Sequence, residues 1–153
     1  MIVLLDAGPL GMVTNPRATP QNVQCQQWVA KLLASGVRVL VPDIADYEVR
    51  RELLRANRLT GIAHLDRAKI TMGHLPITTE AMLKAAEFWA LARQQGRPTA
   101  SDAALDGDVI LAGHAVVLAA QEADRVVIAT ANLAHLSRFA DADLWQNIQP
   151  PIP

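Results

Sequence analysis

The chain has 153 residues, 51% of them hydrophobic and 19% charged, which suits one domain with a full core and excludes a disordered tail. Its net charge of −1 argues against a uniformly basic nucleic-acid binder, yet Arg50, Arg51, Arg55, Arg58, Arg67 and Lys69 are six of its 14 basic residues and fall in one short segment. A single cysteine, Cys25, excludes an internal disulfide and agrees with a cytoplasmic location, the N-terminus lacks the basic start and long apolar core of a signal peptide, and no stretch approaches the length of a membrane span.

In chain order, Ile2 to Leu5 is an apolar run that ends in Asp6 and the turn formers Gly8, Pro9 and Gly11, and it reads as a buried strand. A carboxylate at the end of such a strand loses hydration and needs either a structural donor or a cation. The stretch from Thr19 to Gly36 reads as a helix, with Thr19 as N-cap, Pro20 at the first helical position and Gly36 at the end. Val37 to Val41 is a second strand. Asp43 then caps a helix carrying Ile44, Tyr47, Leu53 and Leu54, and a further helix is predicted from Ile62 to Met72. Leu75 to Ile77 is a short third strand, and Thr79 caps a helix that closes at Gly96. A polar loop leads to a helix from Gly107 to Ala123, apolar on most faces and so buried. Arg125 to Thr130 is a fourth strand, and the segment 141–148 offers an edge strand. Strands alternating with helices predict a mainly parallel sheet covered on both faces, whose functional groups gather at the carboxyl ends of the strands.

The acids fall in three places. Asp6 ends the first strand. Glu48 follows Ile44 by one helical turn, so both face the same side; Asp46 and Glu52 are its alternatives. Asp102, Asp106 and Asp108 lie before or at the start of the buried helix, where capping alone explains one acid more easily than three. Carboxylates converging from three segments repel unless a hard cation such as Mg²⁺ or Mn²⁺ neutralises them. His64, His74, His114, His135 and Cys25 lack zinc-ligand spacing; His114 reads as a satisfied core histidine, and His64 and His74 as surface or helix-end residues. No P-loop, dinucleotide-binding or nucleophile-elbow pattern occurs. Trp28, Trp89 and Trp145 stand singly, which favours packing over base stacking.

Four segments together, "LLDAGPLG", "ADYEVRREL", "DVILAGHA" and "TAN" after the fourth strand, resemble a PIN domain of the VapC-type toxin ribonucleases. The resemblance covers residues 1–153 as a single domain. It implies a three-layer, Rossmann-like α/β/α sandwich and an acidic pocket holding Mg²⁺ or Mn²⁺. It places Asp6, Glu48 and Asp108 as catalytic and metal-binding acids, with Asp106 and Asp102 as supplements or replacements for Asp108. Thr130 and Asn132 match the polar residues after the fourth strand and are expected on the substrate side. His135 stands where the family has a further aspartate. The implied activity is cleavage of RNA phosphodiester bonds, with Arg51 and Arg55 on the phosphate backbone; the competing reading of these arginines is a solvated helix face paired to Glu52. The implied partners are RNA, a second copy in a homodimer and an antitoxin protein, without a membrane. The alternative is a catalytically impaired PIN-like module that binds RNA or regulates. Gly8 and Gly11 are expected to keep the turn after Asp6 open to substrate.

Overall fold

Val3 and Leu5 point into one hydrophobic layer and Ile2 and Leu4 into another, and all four are fully buried. A strand buried on both faces belongs in the middle of a sheet. In the computed structural model, which describes residues 1–96 and 101–152 (without the side chains of residues 102 and 103), this strand, β1 (Ile2–Leu5), is indeed central. Its neighbours are β2 (Arg38–Pro42), β3 (His74–Leu75), β4 (Val126–Thr130) and β5 (Ala142–Leu144). The five strands run in the order β3-β2-β1-β4-β5, and every pairing is parallel.

Helices close both faces. α1 (Ala7–Thr14), α2 (Pro20–Ala34), α3 (Asp43–Arg55), α4 (Leu59–Met72), α5 (Thr79–Gln94), α6 (Asp102–Glu122) and α7 (Leu133–Leu136) complete a three-layer α/β/α sandwich. On one face Cys25, Trp28 and Leu32 of α2 and Leu65 of α4 meet Val3, Leu5, Val39 and Val127. On the other, Leu111, Ala115 and Leu118 of α6 meet Ile2, Leu4, Leu40 and Ile128. α5 packs on α6 through Ala85, Ala92 and Val109. Gly113 makes that approach close, since a Cβ there would stand 2.5 Å from the Ala81 carbonyl oxygen.

Several boundaries differ from the sequence expectation. The Gly-Pro-Gly stretch is not a turn but α1: Pro9 sits in the first turn, where a missing N–H leaves no helical bond unmade. α3 begins at Asp43 with Pro42 as N-cap, so Asp43 does not cap it; its carboxylate instead accepts the Ile77 N–H at 3.1 Å and pairs with His74. Thr78 rather than Thr79 caps α5. α6 starts five residues earlier than expected, capped by Ser101, so Asp106 and Asp108 lie within the helix. Over Ala104–Glu122 it is long and apolar enough to cross a membrane by length and composition, contrary to the expectation that no stretch is, and half of that window is buried inside the fold. His114 on α6 is a core residue at 3% exposure, but it is not satisfied: its Nε2 has no hydrogen-bond partner among the described residues. Burial lowers its pKa, against a smaller upward pull from Asp43.

Candidate active site

From β1 the sheet grows outward through β2 and β3, then resumes on the other side of β1 with β4 and β5. The strand order therefore reverses between β1 and β4, and the crevice at their carboxyl ends is where parallel sheets present ligand-binding groups. Asp6 and Thr130 occupy that edge.

Asp6 is the N-cap of α1, and its Oδ1 accepts the Ala7 N–H at 2.7 Å. Its Oδ2 accepts the Thr130 hydroxyl at 2.7 Å, and the same Thr130 Oγ1 accepts the Asn132 N–H at 3.0 Å. The carboxylate is thus fixed from both sides by two donors. Thr130 has no exposed surface. Its hydroxyl is turned to Asp6.

Glu48 reaches the same crevice from α3. It is half-buried, and its pKa is raised by burial first and by the Asp6 charge next, with Arg51 opposing and Asp108 adding to the rise. Asp108 comes from α6, also half-buried; burial, and secondarily the Asp6 charge, push its pKa up from 3.8 to about 6. The Glu48 carboxylate lies against α6, since a Cβ at Gly107 would stand 2.2 Å from its Oε1. Among the described residues no salt bridge reaches Asp6, Glu48 or Asp108. The donor set is oxygen-only and strongly anionic, which by chemistry fits a hard divalent cation. It is no preformed cage: among the described residues no group of three or more His, Cys, Asp or Glu side chains forms a ready-made metal site.

The other candidates are dispersed. Asp106 is exposed and faces an apolar groove of about 400 Å³ with Met82, Ala85 and Trp89; the helical turn carries it away from Asp108, so it does not join the cluster. The side chain of Asp102 lies outside the described residues. Asp46, the alternative to Glu48, is 7% exposed and is bound in a fork by Arg50 at 2.9 and 3.0 Å, with Lys69 at 3.8 Å. Asn132 is exposed and caps α7 through the Ala134 N–H at 3.4 Å. Arg51 lies over the Tyr47 ring, 5.2 Å from its centre, and its charge reaches Glu48. Arg55 is held by Glu52 at 2.8 Å, as the solvated-face reading has it. His135 is half-buried in α7. His64 meets the Thr14 carbonyl through Nδ1 at 3.2 Å.

A cleft of about 930 Å³ between α1 and the α3–α4 corner runs from Glu48 to Arg17 and Arg58, both exposed. Sequence reasoning missed Arg17, which is isolated in sequence, whereas Arg58 ends the basic segment from Arg50 expected on the phosphate backbone. Gly11 opens onto the cleft with nothing within 4 Å of a Cβ, whereas Gly8 is packed, its Cβ position 3.1 Å from that of Ala131. Only Gly11 therefore keeps space open.

By sequence, no protein-family model and no curated protein matches the chain. Its fold matches solved structures across nearly its whole length. VapBC2 of Rickettsia felis, solved bound to a DNA fragment from its promoter, superimposes with a TM-score of 0.70 at 16% identity, covering 95% of this chain and 99% of that one. VapBC-1 of nontypeable Haemophilus influenzae gives 0.70 at 18% identity, covering 96% and 100%. VapC20 of Mycobacterium tuberculosis, a sarcin–ricin loop cleaving toxin, gives 0.53 at 13% identity, covering 89% and 94%. The chain has the PIN-domain fold of the VapC type.

Proposed function

We propose that this protein is a metal-dependent endoribonuclease, the toxin of a bacterial toxin–antitoxin pair, with Asp6, Glu48 and Asp108 holding Mg²⁺ or Mn²⁺. The observation that carries this reading is the convergence at the strand-order reversal of three carboxylates without a salt bridge among the described residues, where burial and the Asp6 charge hold Asp108 near 6. Structural ion pairs lower carboxylate pKa values; an acid cluster that raises them calls for a cation. When bound, such a cation offsets charge developing on phosphoryl oxygens and makes water a nucleophile at neutral pH.

The chain's own residues supply the geometry. Thr130 and the Ala7 N–H hold Asp6 in one orientation. Arg51, stacked on Tyr47 beside Glu48, is placed to bind the RNA backbone. Arg55 is farther from that task because Glu52 holds it. The solved neighbours include VapBC assemblies, which supports an antitoxin partner for this chain. A homodimer is supported by the exposed Met82 and Trp89 on α5, which line the groove over Val109 and Ile110.

The test is cleavage of a mixed RNA pool by partner-free protein in Mn²⁺, Mg²⁺ or EDTA, with Asp6→Asn alongside. The proposal expects cleavage in metal, none in EDTA and none by the variant. One observation favours a second reading, an RNA-binding module that does not cut: Asp106 faces α5 and offers no substitute for the family aspartate replaced by His135. Folded wild type that binds RNA in EDTA and cleaves under no condition selects that reading.

A further inference from the structure

Asp6 is fixed by two hydrogen bonds, but among the described residues no hydrogen bond holds Glu48. Something else must set the distance between Glu48 and the acids opposite it. α6 carries a glycine, Gly107, in its second turn and fully inside the fold. Glycine in a helix interior is about 1 kcal/mol less favourable than alanine, so its presence asks for a reason.

The two buried glycines of α6 have different reasons. At Gly113 an added Cβ would strike the backbone of α5, 2.5 Å from the Ala81 carbonyl oxygen; that glycine serves helix packing. At Gly107 the Cβ would meet Glu48 Oε1 at 2.2 Å and Cδ at 3.3 Å, with nothing else outside its own helix within 4 Å. The volume that a side chain would take at this position is filled by one carboxylate.

We propose that Gly107 is a positioning residue: its bare Cα is the seat for the Glu48 carboxylate, and this seat holds Glu48 opposite Asp108 and Asp6. Gly107 and Asp108 are adjacent on one rigid helix, so resting Glu48 on the first fixes its relation to the second. The obstacle to a methyl group is the end of a flexible side chain. Gly107→Ala therefore leaves the fold intact, with its helix favoured, while swinging Glu48 out of place. Stability and site function then move in opposite directions, which a purely structural glycine does not predict. The inference rests on the metal-site reading above.

The test is a calorimetric Mn²⁺ titration of four proteins: wild type, Gly107→Ala, Glu48→Ala and the double variant, each with its melting temperature. Gly107→Ala should melt at or above the wild-type temperature and bind Mn²⁺ about 10- to 100-fold more weakly, the usual loss when a ligand loses its support. In the Glu48→Ala background the same substitution should change affinity by less than about twofold, because the two act through one contact. Wild-type affinity in Gly107→Ala, an equal loss in both backgrounds or an unfolded variant overturns the seat and leaves the metal reading standing. A wild type that binds no Mn²⁺ overturns both.

Discussion

Asp108→Asn should make the metal-free protein more stable at neutral pH while removing its activity. The reasoning starts from the rise of the Asp108 pKa from 3.8 to about 6, caused by burial and then by Asp6. The unfolded chain releases this proton near pH 4, and the folded chain keeps it until about pH 6. The stability contributed by protonated Asp108 is therefore complete below the unfolded value and lost as pH rises through the folded one. A shift of this size corresponds to about 3 kcal/mol, an upper bound for what the variant regains, because an asparagine amide also loses hydration. Glu48 is raised by burial and then by Asp6 and acts in the same direction, so the wild type should lose further stability as pH rises.

The assay is urea unfolding of wild type and Asp108→Asn in EDTA at several pH values. At pH 7.5 the variant should be the more stable by up to about 3 kcal/mol, a rise of roughly 6–12 °C in Tm for a chain of this size. By pH 4 the gap should nearly close. With Mn²⁺ at about 100 times its Kd the wild type gains about 2.7 kcal/mol by linkage, the variant much less, and the difference shrinks or reverses. A variant less stable than wild type in EDTA at pH 7.5, or a gap that ignores pH, refutes the view that these acids are held together against their own repulsion.

Thr130→Val keeps the side chain's shape but removes the hydroxyl bonded to Asp6; it should cost about 2 kcal/mol in urea unfolding, the range for a hydrogen bond to a charged group, and slow cleavage at least roughly tenfold. Arg51→Ala should reduce the slope of log RNA affinity against log salt by about one, while Arg55→Ala, whose guanidinium is already held by Glu52, should leave the slope unchanged; equal slopes for wild type and Arg51→Ala would take Arg51 out of the interface.

The sheet was legible because its strands are short β-branched runs bounded by glycine, proline and acids, and period-two burial on both sides leaves them no other place. Helix ends were less so. α1 was missed because glycine and proline so close together read as a turn, although Asp6 followed by Pro9 within one turn is also a helix start. The start of α6 was placed late because Asp102, Asp106 and Asp108 look like loop and cap residues, when only Ser101 caps. In the site, Glu48 was separable from Asp46 by its spacing from Ile44, since helical periodicity fixes direction. Asp106 could not be separated from Asp108 before the helix start was known, because two residues of helix turn a side chain to another face. The contacts of Thr130 with Asp6 and of Gly107 with Glu48 were out of reach, since each joins elements far apart in sequence.

Asp46 and Glu48 are compensated differently, which bears on the proposed function. Both are carboxylates on α3, two residues apart, and both lose water on folding. Asp46 is compensated within the chain: Arg50 grips it in a fork and Asp66 holds Arg50 from the other side at 2.7 Å. That network is complete, and it belongs to the α3–α4 contact. Six cations cluster in this segment of the sequence, and two of them, Arg50 and Lys69, pair with Asp46, yet none forms a salt bridge with Glu48 among the described residues. A fold that needed Glu48 only for stability had a neutralising partner within one helical turn in Arg51, which instead lies over Tyr47. With no salt bridge to Glu48 among the described residues, its place beside Asp108 and Asp6 costs stability, and the cation of the proposed function would offset the three charges together.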